Sequence, residues 1–230
     1  MMYTGLKKKG KSLLKAAGVV TMVAFALATP ATTQLHAQAK SSGKGMYELF
    51  STKMPDGASW QRDDKFVRGG GYSSKANNYI YVRSKTSPAE MTGLSIPIRE
   101  NPGPGQYRYI TFAWVKWGGE QIGLKFHVTG NSQKQKGKIY DFTYIAGKAQ
   151  DKTKQLEGLN LGSLPTQWTV ITKDLWRDFG DITLTGISFI CPDSRDAGFD
   201  ELFLAKSQDD IKNAPKVLPS EIATPVPVNE

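Results

Sequence analysis

Between Met46 and Ile211 the dominant spacing of apolar positions is two residues, the period of extended strands that bury one face. From Tyr107 to Trp117, the residues Tyr107, Tyr109, Thr111, Ala113, Val115 and Trp117 fall on one face, and Ile110, Phe112 and Trp114 fill much of the other. That pattern predicts a strand buried on at least one side and central in its sheet. From Ile122 to Val128 the alternation is cleaner, with Gly123, Lys125 and His127 on the polar phase, as in a half-buried antiparallel strand. Gly118, Gly119, Glu120 and Gln121 supply the hairpin between these two. Further strands are predicted over 138–146, 168–172, 182–190 and 198–204, with shorter ones over 65–68, 79–82 and 93–99. Helix is confined to short turns over 174–179 and 208–212, too brief to fold alone. Many strands with irregular connections predict an all-β fold, a two-sheet antiparallel sandwich with short helical turns.

The ends of the chain follow other rules. Lys7, Lys8, Lys9, Lys11 and Lys15 precede an apolar run from Ala16 to Ala28, and Ala37, Gln38 and Ala39 close a polar stretch. A charged head, an apolar middle and a small-x-small exit predict a secretory signal peptide over residues 1–39, cleaved after Ala39. The apolar run is short of the roughly 20 residues that a permanent membrane span needs, and no other stretch is apolar enough. Export to the periplasm or the extracellular space is therefore expected. Residues 40–45 read as a flexible leader, and 212–230, with Pro215, Pro219, Pro225 and Pro227, as a Pro-rich disordered tail. The folded domain is placed at residues 46–211.

Charge changes the picture once the leader is set aside. The net charge of +9 includes five lysines and no acids from residues 1–39, and without them 25 basic residues face 21 acidic ones. So thin an excess, gathered into no stripe, argues against nucleic acid as a partner. Cys191 is the sole cysteine, so the core must hold without a disulfide, and a small buried apolar role is expected of it.

A recognisable order of residues closes the domain. Trp168, Thr169, Val170 and Ile171 form a strand, and Asp174 to Gly180 an acidic-aromatic turn. Leu184, Thr185, Gly186 and Ile187 form the next strand, and after Cys191, Pro192 and Asp193 comes a last one from Gly198 to Lys206 containing Phe199 and Asp200. This resembles the closing segment of galactose-binding-domain-like jelly rolls, the fold of many carbohydrate-binding modules, and is particularly similar to a variant appended to large secreted bacterial proteins. Residues 107–128 fit the same plan. The resemblance implies a jelly-roll β-sandwich that binds a glycan or related extracellular ligand. It also implies a structural calcium where an acid in the first strand, here Glu48, meets one in the last, here Asp200; hard carboxylate oxygens suit that ion.

Sugar binding needs flat aromatic faces for pyranose C–H surfaces and polar side chains at the rim. Trp114 and Trp168 lie in strong strand patterns and are expected in the core. Candidates in or beside loops are Trp60, Tyr72, Tyr79, Trp117 and Tyr144, with Asn77, Asn78, Arg83, Gln121, Lys125 and His127 as polar partners. Lys125 and His127 share one face of a strand, which either lines a groove or is a plain solvated face.

Catalytic motifs are missing. His127 is the one histidine beyond the leader, so with one cysteine the usual zinc sets cannot form, and no nucleophile elbow is visible. Most aspartates sit in turns, where Asp makes local backbone bonds. The expectation is a non-catalytic secreted binding module. Two alternatives stay open: a structural or protein-interaction domain joining an envelope protein, and a polysaccharide hydrolase, which needs two carboxylates roughly 5–10 Å apart across a cleft.

Overall fold

The computed structural model describes residues 45–51, 54–61, 67–69, 78–83, 89–130, 142–193, 195–212 and 214. The expected signal peptide, residues 40–44 of the leader, residues 213 and 215–230 of the tail, Tyr72 and Asn77 lie outside the described residues. Among the described residues twelve strands run in chain order: β1 (Met46–Phe50), β2 (Ser59–Trp60), β3 (Val67–Gly69), β4 (Asn78–Val82), β5 (Ala89–Ile98) and β6 (Tyr109–Trp117) in the first half. The second half holds β7 (Gln121–Thr129), β8 (Phe142–Gly147), β9 (Leu159–Asn160), β10 (Thr169–Asp174), β11 (Ile182–Ile190) and β12 (Asp196–Ala205). Two single-turn helices, α1 (Leu175–Phe179) and α2 (Gln208–Lys212), complete the set with a 3-10 turn at Lys152–Lys154.

The strands form two sheets of a jelly-roll sandwich. Sheet A runs β10-β6-β12-β4-β3, with β1 also paired to β12, and sheet B runs β2-β5-β11-β7-β8-β9. The named pairs are antiparallel except β8 with β9, which run parallel and depart from the expected all-antiparallel arrangement. β6 lies between β10 and β12, the central position its two apolar phases require. β1, β2 and β9 are absent from the strand pattern read on residues alone. Two of them are two residues long, too short to show a period.

Bulges correct the phase wherever the core-facing residues change parity. On β12 the core takes Ala197 and Phe199, then Leu202 and Leu204. A strict alternation would turn the second pair outward, and the register shift between Asp200 and Phe203 absorbs the slip. Glu201 at that bulge has φ of 51°, the left-handed region that a non-glycine residue seldom occupies. The bulge also marks a change of partner along one edge of β12: β4 pairs with Ala197–Phe199, and β1 with Leu202–Ala205. Leu184 and Ile187 on β11 change parity in the same way, across a shift between Leu184 and Gly186.

Between the sheets, Ile110, Phe112 and Trp114 of β6 meet Leu124, Phe126, Tyr144, Ile187 and Phe189 from sheet B in one buried cluster. Aromatic pairs stitch the layers: Phe189 lies edge-on to Phe199 at 5.1 Å between ring centres, and Phe112 stacks on Tyr144 at 6.5 Å. Cys191 is buried as a free thiol in the same core. Among the described residues no helix is long and apolar enough to cross a membrane.

Candidate functional site

The sequence-derived site residues divide between three places. Tyr79 and Trp117 share the outer face of sheet A, while Lys125 and His127 share the outer face of sheet B, so these four do not converge on one site. Trp60 turns inward, edge-on to Phe50 and Phe189 at 6.4 and 6.1 Å, and packs against the core rather than presenting a platform. Tyr144 is fully buried between the sheets, with its hydroxyl donating to Asp178 at 2.7 Å, so it cannot face a ligand. Gln121 is buried beneath the 151–158 loop, where its Oε1 accepts from the Leu156 amide at 3.2 Å.

The outer face of sheet A is built by parity. Because Phe112 and Trp114 of β6 fill the interior, Ala113, Val115 and Trp117 point out. On β4, Ile80 and Val82 point in, so Tyr79 and Tyr81 are on the outward phase, which Arg83 continues just past the strand end. β12 adds Asp196 opposite Trp117, Gly198 opposite both Val115 and Tyr81, and Asp200 opposite Ala113. Trp168, just before β10, completes a second apolar cluster with Ala113, Val115, Tyr79 and Trp117, on the side away from the main core. Trp168 is 8 % exposed, buried as expected of a core tryptophan but on the outside of the sandwich.

Three of the rings form a pinwheel. Tyr79, Trp117 and Trp168 have centres 5.9–6.0 Å apart and planes crossing at 74–90°, and Tyr81 meets Tyr79 edge-on at 6.4 Å. Each such contact is worth about 0.5–1.5 kcal/mol beyond burial, so the rings hold their orientation before any ligand arrives. Small residues beneath make room. A Cβ on Gly198 would lie 2.9 Å from Cη2 of both Trp117 and Trp168, so only glycine lets the two indoles lean over the sheet there.

A polar rim borders the rings. The Tyr81 hydroxyl donates to Oδ1 of Asp196 at 2.7 Å, and Arg83 Nε lies 3.0 Å from the same oxygen as an ion pair. Burial, then the hydrogen bond to Asp196, pushes the Tyr81 hydroxyl up to about 12, so it stays a protonated donor. Tyr81, Trp168 and Asp196 were not singled out for binding by sequence reasoning. The clue was the Tyr79-x-Tyr81-x-Arg83 phase, which alternates with two aliphatic residues and therefore had to face outward as a unit.

Sheet B presents a different face. The row Glu90, Ser188, Lys125 and Thr143 crosses four strands in register, and the His127 ring lies beside Gly186. No aromatic ring stands in this row. His127 Nε2 is 2.6 Å from Ser188 Oγ and 3.6 Å from Glu90 Oε1. A serine–histidine–acid relay needs the acid on the opposite ring nitrogen, so this grouping is not built to activate the serine. An open groove of about 720 Å³ at the edge of the sandwich, lined by Glu120, Lys148, Gln150, Asn160, Ser163 and Leu164 among others, also lacks an aromatic ring.

Glu48 and Asp200 hold local donors. Glu48 Oε1 accepts from the Ser51 hydroxyl at 2.6 Å, and Asp200 Oδ1 from the Glu201 amide at 2.8 Å. In register Glu48 faces Phe203, three positions beyond Asp200 on β12. Among the described residues no group of three His, Cys, Asp or Glu side chains is arranged to hold a metal ion.

Beside the aromatic face, a buried clamp fixes the β6–β7 hairpin. The Lys116 ammonium, fully buried, donates to Asp193 Oδ1 at 2.7 Å and to the Gly118 carbonyl at 2.8 Å. Asp193 Oδ2 accepts from the Glu120 amide at 2.5 Å. Burial disfavours the Asp193 charge, but the Lys116 and Glu120 donors outweigh it and hold the carboxyl below its ordinary value. The clamp lies one residue from Trp117 and so steadies the end of the strand that carries it.

No protein-family model matches the sequence, and comparison with curated proteins gives no significant match. Solved structures similar to this chain include a point variant of a family 29 carbohydrate-binding module in complex with cellulohexaose, at 14 % identity over 74 % of this chain and 96 % of that one, TM-score 0.40. A family 11 carbohydrate-binding module from Clostridium thermocellum, in complex with a β-1,3-1,4-mixed-linked tetrasaccharide, is 12 % identical over 72 % of this chain and 98 % of its own, TM-score 0.38. A family 30 carbohydrate-binding module of a cellulosomal cellulase of Clostridium thermocellum is 11 % identical over 71 % and 98 %, TM-score 0.37. Carbohydrate-binding modules are thus among the solved structures to which the chain is similar.

Proposed function

We propose that this chain is a non-catalytic, exported binding module that holds a glycan on the outer face of sheet A. The observation that carries the reading is the cluster of Tyr79, Tyr81, Trp117 and Trp168 on the solvent side of a sheet whose opposite side already has a full core. Aromatic side chains stabilise a sandwich most when buried between its layers. A second cluster outside them, with Tyr79, Tyr81 and Trp117 only half-buried, keeps apolar surface that a ligand can cover. Arg83 and Asp196 beside it supply donors and an acceptor for hydroxyl groups. The signal-like pattern of residues 1–39 supports the exported setting.

Affinity electrophoresis in gels containing soluble polysaccharides tests the reading. Trp117→Ala is expected to weaken binding about 30-fold or more, as the loss of a central aromatic anchor does. Lys125→Ala and His127→Ala, on the opposite face, should leave mobility shifts unchanged. Loss confined to the sheet B variants would place the ligand on the wrong side of the molecule for this proposal.

A further inference from the structure

Strand β10 is an open edge that its own sequence leaves unprotected. Among the described residues its one strand partner is β6, so the other side of its backbone meets no strand. Thr169, Val170, Ile171 and Thr172 are four β-branched residues in succession, a composition that readily extends a sheet. Natural edges are blunted by exposed lysine, by proline or by a bulge. This strand has no proline and no bulge, and both of its charges are used inside the copy: Lys173 lies 3.2 Å from Asp178, and Asp174 pairs with Arg108 at 2.7 Å while capping α1. Among the described residues Val170 and Leu159, 51 % and 42 % exposed, are the exposed large apolar side chains. They share one flank of the sandwich, because Leu159 is next to Tyr144 in sheet B and Lys173 of β10 lies over the Tyr144 ring.

The ladder fixes which backbone groups are open. The Leu175 amide donates to the Arg108 carbonyl and the Lys116 amide to the Pro165 carbonyl, so the even-numbered residues of β6 turn their backbone groups toward β10. In register those residues face Thr169, Ile171 and Lys173. Val170 and Thr172 therefore turn N–H and C=O away from β6, to the open side.

We infer that two copies of this chain pair through β10, antiparallel about a twofold axis at Ile171. In that register Val170 of each copy exchanges both backbone hydrogen bonds with Thr172 of the other, and Ile171 faces its own mate in the closer, non-hydrogen-bonded position. Lys173 faces Thr169 and Asp174 faces Trp168, so no like charges oppose each other. Centring on Val170 would pair Thr172 with Trp168, before the strand begins, and centring on Thr172 would set Ile171 against Lys173. The twofold stands perpendicular to the joined sheet, so the aromatic faces of both copies look the same way. A six-residue seam is a weak, reversible contact, with association expected at micromolar to millimolar concentration. It forms whether or not sheet A takes a glycan.

Sedimentation velocity of the full chain over a micromolar-to-millimolar series is the test. The expected result is a reversible rise from the mass of one chain to that of two. Thr172→Pro removes an open-side N–H and spares the ladder to β6, so it should abolish the dimer. Val170→Lys adds the protection this edge lacks and should weaken the dimer about tenfold or more; it also covers the case in which the proline variant does not fold. Ile171→Cys should cross-link two chains under mild oxidation, since the paired Cα atoms would stand about 4.5 Å apart, while Val170→Cys should not. Cys191 is fully buried and does not compete. A monomer at every concentration overturns the inference, and so does a dimer untouched by both Thr172→Pro and Val170→Lys. Cross-linking through Val170→Cys but not Ile171→Cys refutes the register. Uptake of an unrelated extended peptide by a chain that never dimerises would give the edge to a different partner and overturn the pairing of two copies.

Discussion

Removal of Asp193 should cost this domain more than removal of its buried partner, although the two form one ion pair. In Asp193→Ala the Lys116 ammonium, with no exposed surface, keeps the Gly118 carbonyl as its oxygen acceptor among the described residues. An uncompensated buried charge costs about 3–5 kcal/mol. In Lys116→Met the carboxylate left behind is better placed: it is 20 % exposed and still accepts from the amides of Glu120, Gln121 and Arg195. Its loss should be about 1–2 kcal/mol. Urea unfolding followed by tryptophan fluorescence measures both, and the larger value lowers the melting temperature by about 10 °C for a domain of this size. Combining both substitutions should recover part of the Asp193→Ala cost, because the stranded ammonium is then gone. The pair also sets an acid limb. Because the folded-state carboxyl is held below its ordinary value, its contribution is complete above about pH 4 and is lost as pH falls through the lower folded value, so Asp193→Ala should show a flatter decline in acid. A cost below about 1 kcal/mol for Asp193→Ala, or a larger one for Lys116→Met, would refute the account of the clamp.

Gly198→Val should displace the Trp117 and Trp168 indoles, reducing glycan retardation strongly while circular dichroism still reports a β-sheet protein. Burial raises the hydroxyls of Tyr47 and Tyr81 to about 12 and also raises those of Tyr107 and Tyr144. Stability from these neutral phenols is complete below their unfolded value near 10 and is lost as pH rises toward the folded values, so absorbance at about 295 nm should show them ionising late and together with unfolding. Cys191 is buried and its thiol is raised first by burial, so it should resist a thiol reagent in the native protein and react at once in denaturant; rapid native labelling would contradict the core described above.

Strand periodicity in the sequence made the sandwich legible, because β6, β7, β11 and β12 each carry enough alternating residues to declare a buried face. The faces of individual aromatics were harder to read. Trp168 stands between Gln167 and Thr169 and lies outside, whereas Trp114 stands between Ala113 and Val115 and lies inside, since the second apolar phase of β6 demanded a cover of its own. Tyr144 looked like a loop-side platform because its strand alternates weakly: all six residues of β8 are buried, so no phase marks the core. Asp196 read as a turn residue, and its pairing with Arg83 depends on strands β4 and β12 meeting across 113 residues of chain, information that no local pattern holds.

The antiparallel match of Met46 with Ala205 brings the first and last strands together at one point, with the Lys206 amide bonded to the Gly45 carbonyl. Tension applied to the polypeptide on either side of the domain would therefore peel β1 away one hydrogen bond at a time instead of loading all its bonds at once. Tyr47, Leu49 and Phe50 would leave the interior as the strand came off, making this seam the mechanical weak point of an otherwise tightly layered body.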